Sequence, residues 1–600
     1  MLKMGFYLLA LAMIPVCAFS QGAATVAAPP LQIVTEKGVA MKTRDGVTLR
    51  ADIYRPAAEG SYPVLLTRTP YDKQLMWPIG QKGAGRGFIV VIQDVRGRYT
   101  SEGDWYPFKY ETNDGYDTVE WAAALPHSNG KVGMFSGSYV GATQMLAAIA
   151  HPPHLAGICP VVTASNYHEN WTYQGGAFEQ WFNESWTSGL AQDTLNRKIK
   201  DDTNALVGDQ VLPLNKYPVF NMGAAQDGAA LTKAVAPYFG DWLAHPLYDD
   251  YWKQWSIEEN FQNIQVPALT IAAWYDIFQG GSLRNYMGLK AHGGNEAARN
   301  GQHLIVAIGG HSGWGRTVGQ VDFGPDAPFD ENEVIVEWYE YLFLGKQNEF
   351  ANGKPVKIFV MGKNEWRFED DWPLKRAVEW RYLLGSNANA NSAAGSGFLL
   401  EPGVMKRASG GPSDMYVYDP ANPVPTVGGP LCCDPQHLPG GPRDQREVEK
   451  RADVLVYSTG PLQQDVEVTG PVTLDLYAST SAADTDFTGK LVDVAPDGTA
   501  INLTEGILRA RYRESTEGAP KPVVPGQIYE YKIDLWSTSN VFLKGHQIRL
   551  EVSSSNFPRF DRNLNTGKDA ATSAEMVKAT NTVYHDAQHP SALVLPVVAK

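Results

Sequence analysis

Residues 130–144 read GKVGMFSGSYVGATQ. An apolar run from Val132 to Phe135 stops at Ser136-Gly137-Ser138, and helix-forming text begins at Tyr139 and continues through GATQMLAAIAH. Strand, sharp turn and helix in that order lift Ser138 between small neighbours. They also aim the N–H groups of a helix N-terminus at whatever anion forms beside it. The pattern departs from G-x-S-x-G, because Ser136 stands where the first glycine would be and Gly141 follows Ser138 by three. Taken bare, a Gly-Ser pair before a helix is more simply a helix cap. The rest of the chain has to decide.

Working outward, the same rhythm repeats. Asp45-Gly46 separates two alternating runs and predicts a hairpin. GFIVVIQ at 87–93 is a near-continuous β-branched run of the kind buried on both faces of a parallel sheet, and GYDTVEWAAAL at 115–125 is helical. Downstream, VPALTIAAWYD at 266–276 and HLIVAIGGH at 303–311 are further buried runs, each ending in a turn, followed by the helical EVIVEWYEYLF at 333–343. Alternating strand and helix predicts an α/β fold. Between Ser165 and Glu258 apolar strands give way to aromatic, helix-compatible text holding Trp171, Trp181, Trp186, Trp242, Trp252 and Trp255. From Lys354 on, short strands recur (PVKIFVMG, DVLVYST, PVTLDLYAS, QIYEYKIDLW, HQIRLEVSSS) among Gly, Pro and Asp. The expected organisation is therefore an α/β-hydrolase-like domain in two pieces, 31–164 and 259–353. A helical cap, 165–258, is inserted in it, and a C-terminal all-β jelly roll, 354–600, follows. A chain of 600 residues exceeds what one core can hold, which agrees with that division.

A serine hydroxyl is a weak nucleophile until a base takes its proton and a third group orients the base. In this topology the partners follow the serine, acid first and histidine last, at strand carboxyl ends. Asp276 ends one later strand and His311 the next. His292 lies in a polar helix-to-loop stretch and His303 at the wrong end of its strand. Ser138, Asp276 and His311 together predict acyl transfer.

A net charge of −14 with no basic run argues against nucleic acid as a partner. Residues 1–20 place Lys3 before the apolar stretch Gly5 to Val16 and then small residues, the layout of a secretory signal. The mature chain is expected to be secreted or periplasmic. Cys17 raises lipid anchoring as a lesser alternative, and no other run is long enough to span a bilayer. Cys159 reads as a buried strand residue, while the adjacent Cys432 and Cys433 are compatible with either a bridge or two thiols. No metal-ligand spacing and no cofactor motif is present, and nothing bears on oligomeric state.

VGMFSGSYVGATQ, TRTPYDK at 67–73, AAWYDIF at 272–278, DVRGRYTSEG at 94–103, HPLYDDYW at 245–252 and the Gly-Pro-rich stretch running to RADVLVYST together resemble one family. It is the cocaine esterase, α-amino-acid ester hydrolase and X-prolyl dipeptidyl peptidase group, and the likeness covers nearly the whole mature chain. It implies the same three-part architecture, with Ser138 as nucleophile, Asp276 as acid and His311 as base. It also implies an oxyanion hole made of the Tyr71 hydroxyl and the Tyr139 backbone N–H, a role for Tyr71 that composition and spacing do not reveal. Members taking α-amino acyl groups hold the ammonium with acids, for which Glu169, Asp249 and Asp250 are candidates. Trp171, Tyr173, Phe178, Trp274 and Phe278 are candidate aromatic walls. The implied substrate is a small ester or amide or a short peptide. Three readings follow: an esterase or acylase, an X-Pro dipeptidyl peptidase, and a glycan-binding protein whose hydrolase domain is inert.

Overall fold

The structure, a computed structural model, describes residues 32–201, 235–387, 389–403, 411–568, 570 and 573–599. The signal expected at 1–20 lies outside them. Ten strands form the first sheet: β1 (Ile33–Lys42), β2 (Thr48–Pro56), β3 (Tyr62–Thr69), β4 (Ile89–Asp94), β5 (Ser128–Gly137), β6 (Leu155–Val161), β7 (Ala268–Ala273), β8 (Gln302–Ala307), β9 (Val356–Val360) and β10 (Glu365–Glu369). Their order is β1-β2-β4-β3-β5-β6-β7-β8-β9-β10, parallel from β4 through β9 and antiparallel at both margins.

Alternation along the strands explains how both faces are buried. Val64, Leu66, Val132 and Met134 pack on one face with Val119 of α2 (Glu111–Ala123) and Met145 and Leu146 of α3 (Tyr139–Ile149). Leu65, Val90, Ile92 and Phe135 point the other way, against Ile79 of α1 (Trp77–Gly85) and Trp338 and Tyr339 of a helix at Glu331–Leu344. The insertion between β6 and β7 carries α4 (Gln180–Asp201) and α5 (Pro237–Ala244), with Trp171, Trp186, Trp242 and Trp252 in one buried cluster.

The expected boundary at 353/354 is corrected. Val356–Val360 pairs in parallel with β8 (Leu304 opposite Val356, Val306 opposite Ile358), and Glu365–Glu369 returns beside it, so PVKIFVMG belongs to the first sheet. An apolar run bounded by turns carries no mark of which sheet it joins. The β-rich C-terminal domain starts at Ala377 and forms an eleven-stranded sheet ending at Val598. It leans on the cap through backbone bonds, Arg509 N–H to the Gly175 carbonyl (2.9 Å) and Trp181 N–H to the Pro558 carbonyl (3.0 Å).

Candidate active site

Ser138 sits between β5 and α3 with φ 63° and ψ −132°, a conformation that costs a non-glycine residue of order 1–3 kcal/mol and needs a reason. Its surroundings hold it there. The Ser138 N–H donates to the Val161 carbonyl (2.9 Å), and Thr163 Oγ1 donates to the Ser138 carbonyl (2.8 Å). Gln144 Nε2 donates to the Ser136 carbonyl (2.8 Å) while its Oε1 accepts from Cys159 N–H (3.0 Å). A Cβ on Gly141 would meet Thr163 Cβ at 2.7 Å, so glycine there lets α3 close onto the strand end. Ser136, in the place of the usual glycine, takes φ 97° and is held by the same Gln144.

His311 reaches this serine from the end of β8. Its Nε2 lies 2.8 Å from Ser138 Oγ and its Nδ1 2.7 Å from Asp276 Oδ1. Asp276 is fully buried, and its Oδ2 accepts from the Phe278 N–H (3.0 Å). An ionised carboxylate only accepts, so Nδ1 carries the proton and Nε2 is left free to receive one from the serine.

Tyr71 hangs over the same point from the turn after β3. Its hydroxyl accepts from Trp186 Nε1 (3.0 Å) and contacts Ser138 and the Tyr139 amide. Burial pushes its pKa up, against those hydrogen bonds, so the phenol keeps its proton. With one lone pair bound by the indole N–H, that proton is directed into the site. The Tyr139 hydroxyl is spent away from the serine, donating to Glu111 Oε1 (3.0 Å) and accepting from the Phe108 N–H (2.7 Å). Buried Arg98 ties the pieces together. Its Nε donates to the Pro70 carbonyl beside Tyr71, and its Nη1 to the Leu190 carbonyl of α4, the helix that carries Trp186 (both 2.9 Å). Trp186 and Arg98 were not foreseen; the insertion's many tryptophans gave no reason to single one out.

Comparison with known proteins identifies the family. The X-Pro dipeptidyl-peptidase (S15 family) profile matches residues 45–313, and that of the X-Pro dipeptidyl-peptidase C-terminal non-catalytic domain matches 348–594. A cocaine esterase from Rhodococcus sp. (strain MB1 Bresler) is 38% identical over 589 residues, 94% of this chain and 98% of the esterase. The chain belongs to this family. Among solved structures, an aminopeptidase from the marine sediment archaeon Thaumarchaeota archaeon superposes with TM-score 0.80 at 25% identity, covering 97% of this chain and 99% of that one. An α-amino acid ester hydrolase superposes with TM-score 0.78 at 25% identity, covering 96% and 100%. The protein is thus an α/β-hydrolase-fold serine hydrolase with a β-rich C-terminal domain.

The remaining candidates divide. Phe278 packs edge-on to the His311 ring (centroids 5.2 Å apart) and stacks on Trp171 (4.6 Å), which in turn meets Trp186 (5.4 Å). Trp274 is corrected: its indole N–H donates to the Phe359 carbonyl (2.7 Å) and its ring meets Trp372 (5.7 Å), so it packs toward the end of β9 and not against His311. Glu169 accepts from Gly175 N–H (2.8 Å), and burial holds its carboxyl up at about 7, with Arg284 opposing. Asp249 caps the short helix Asp250–Lys253 and pairs with His245 (2.7 Å). Tyr173 donates to the Trp242 carbonyl, and the Phe178 backbone N–H donates to Asp561. Tyr173 and Phe178 share the buried cluster of Trp171, Trp186 and Phe278 and meet each other edge-on (5.4 Å). A cavity of about 280 Å³ opens against His311 itself, between Gly310–Gly313 and the C-terminal loop that holds Leu431, Cys432 and Cys433.

Proposed function

We propose that this serine hydrolase cleaves carboxylic esters through an acyl-enzyme, with Ser138 as nucleophile, His311 as base and then acid, Asp276 as its orienting partner, and the Tyr71 hydroxyl with the Tyr139 N–H as oxyanion hole. One observation carries the reading: His311 bridges Ser138 Oγ and Asp276 at 2.8 and 2.7 Å beside a serine held on a strained elbow. Ser138 attacks the acyl carbon while its proton passes to His311 Nε2; the tetrahedral oxyanion takes hydrogen bonds from Tyr71 and Tyr139. His311 then gives the proton to the departing alcohol, and a water activated by His311 frees the acid.

The groups around His311 favour an apolar acyl substrate. Phe278, Trp171 and Trp186 bring rings to His311, and Asp249 is taken up by His245 and the helix it caps. That ordering puts ester hydrolysis ahead of X-Pro peptide release, and the relative named cocaine esterase supports it. The leader at 1–20 supports export, which amino-terminal sequencing of the mature protein checks. A fluorophosphonate probe should label the wild type and not Ser138→Ala; equal labelling of both would defeat the assignment. Turnover of p-nitrophenyl esters should exceed that of Gly-Pro-p-nitroanilide, and a preference for the anilide would move the function to dipeptide release.

A further inference from the structure

In the mechanism proposed above, Asp276 must keep its carboxylate 2.7 Å from His311 Nδ1. Within itself the turn that carries it is held by Asp276 N–H to the Ala273 carbonyl (3.2 Å) and Gln279 N–H to the Asp276 carbonyl (3.1 Å). The C-terminal domain grips the same turn on both sides of the acid, through Tyr275 and Gln279, each only 1% exposed. The Tyr275 hydroxyl donates to the Asn502 carbonyl of the strand Ala500–Arg509 (2.9 Å). Beyond the acid, Gln279 Nε2 donates to the Ser537 carbonyl (2.6 Å) and Oε1 accepts from the Ser537 N–H (3.0 Å), while Nε2 also donates to the Trp274 carbonyl (3.1 Å). The side-chain amide thus stands in for a neighbouring strand, closing the two-bond exchange that one peptide makes with another.

A bulge presents Ser537 to this partner. The strand Tyr529–Phe542 sets Asp534 opposite Thr473 and Ser537 opposite Pro471, so Leu535 and Trp536 stand against Val472 alone, and Trp536 takes φ 63°. Such an extra residue bends a strand and re-aims its groups, and Pro471 has no N–H to offer Ser537. Gly280 keeps room for Trp536, whose Nε1 would lie 3.1 Å from a Cβ there.

We propose that Gln279 and Tyr275 are positioning residues through which the C-terminal domain, although it supplies none of the triad, sets the alignment of Asp276 with His311. The claim rests on the acyl-enzyme reading above. Removing the Gln279 amide leaves the buried Ser537 N–H and carbonyl without that partner, a cost the turn relieves by shifting, and Asp276 moves with it. A displacement of about 1 Å at a catalytic group costs on the order of 100-fold in rate. His311 relies on Asp276 both when Ser138 attacks and when water does, so both steps suffer.

The test uses the full-length enzyme and a p-nitrophenyl ester. Gln279→Met keeps the side chain's length and loses its polar atoms. Its kcat should fall about 10- to 100-fold with KM little changed, and single-turnover deacylation should slow by a similar factor. Tyr275→Phe, which deletes one hydroxyl, should lower kcat in the same sense by less. The deciding comparison is a double-mutant cycle. Asp276→Asn removes the orienting carboxylate outright, and adding Gln279→Met to it should cost almost nothing more, because residues that act through one another are not additive. A folded Gln279→Met enzyme with wild-type kcat overturns the clamp. So does a loss from Gln279→Met that persists undiminished beside Asp276→Asn, which would mark the residue as structural only. Should Gln279→Met fail to fold, the same cycle with Tyr275→Phe decides, and an unchanged kcat or additive losses there overturn the claim. Failure of fluorophosphonate to label wild-type Ser138 would instead overturn the reading beneath it.

Discussion

Tyr71 presents the sharpest question at the scale of single residues, because its hydroxyl accepts from Trp186 Nε1 and, in the proposed mechanism, donates to the oxyanion. Replacing it with Phe removes one oxyanion donor, so kcat should fall about 100- to 1,000-fold with KM little changed. Trp186→Phe leaves the phenol in place but frees it to turn; a smaller loss of kcat is expected, and a loss equal to that of Tyr71→Phe would mean the indole acts on its own. How legible these residues were follows from their chemistry. Ser138, Asp276 and His311 stand at strand ends in a fixed chain order, which sequence carries directly. Tyr71 and Trp186 act through space, across 115 positions, and only a family likeness could point to the first of them.

Elements explain why that through-space pair stays aligned. The turn after β3 and helix α4 come from different parts of the chain, and Arg98 binds a carbonyl of each. Its guanidinium also lies over the Trp105 ring (5.4 Å), where a planar cation is favoured. Arg98→Lys cannot span both carbonyls with one ammonium. It should cut kcat about tenfold or more through Tyr71, judged against the cost of a lost oxyanion donor, and guanidinium ion added to Arg98→Ala should restore part of it. Equal loss of labelling and of folded protein would mark Arg98 as structural only. The motif DVRGRYTSEG was visible in the sequence, but its purpose was not, because an arginine names no partner until the turn it braces is in place. The boundary near 354 was misplaced for a related reason: a strand's pattern records its burial and not the sheet that buries it.

Over the whole molecule, the C-terminal domain is held to the cap by a buried charge cluster, and that cluster sets a pH dependence separate from catalysis. Arg559, fully buried, donates to Glu505 Oε1 (2.7 Å) and Gln174 Oε1 (3.0 Å) and approaches Glu179 Oε1 (3.4 Å). Burial raises the Glu179 carboxyl to about 7, with Arg559 pulling it down. The sign follows from proton counting. Unfolded, Glu179 loses its proton near the ordinary glutamate value of about 4.3; folded, it keeps it to about 7. The native state therefore binds more protons in between, and this group's stabilisation, full below the unfolded value, is lost as pH rises through 7. Glu179→Gln cannot ionise, so its thermal midpoint relative to wild type should rise between pH 5 and pH 8.5; a constant difference would refute the coupling. Arg559→Met strips the cation from two buried carboxylates and should cost about 3–5 kcal/mol, the penalty of breaking a buried pair, with the larger loss at alkaline pH, where Glu179 would otherwise ionise.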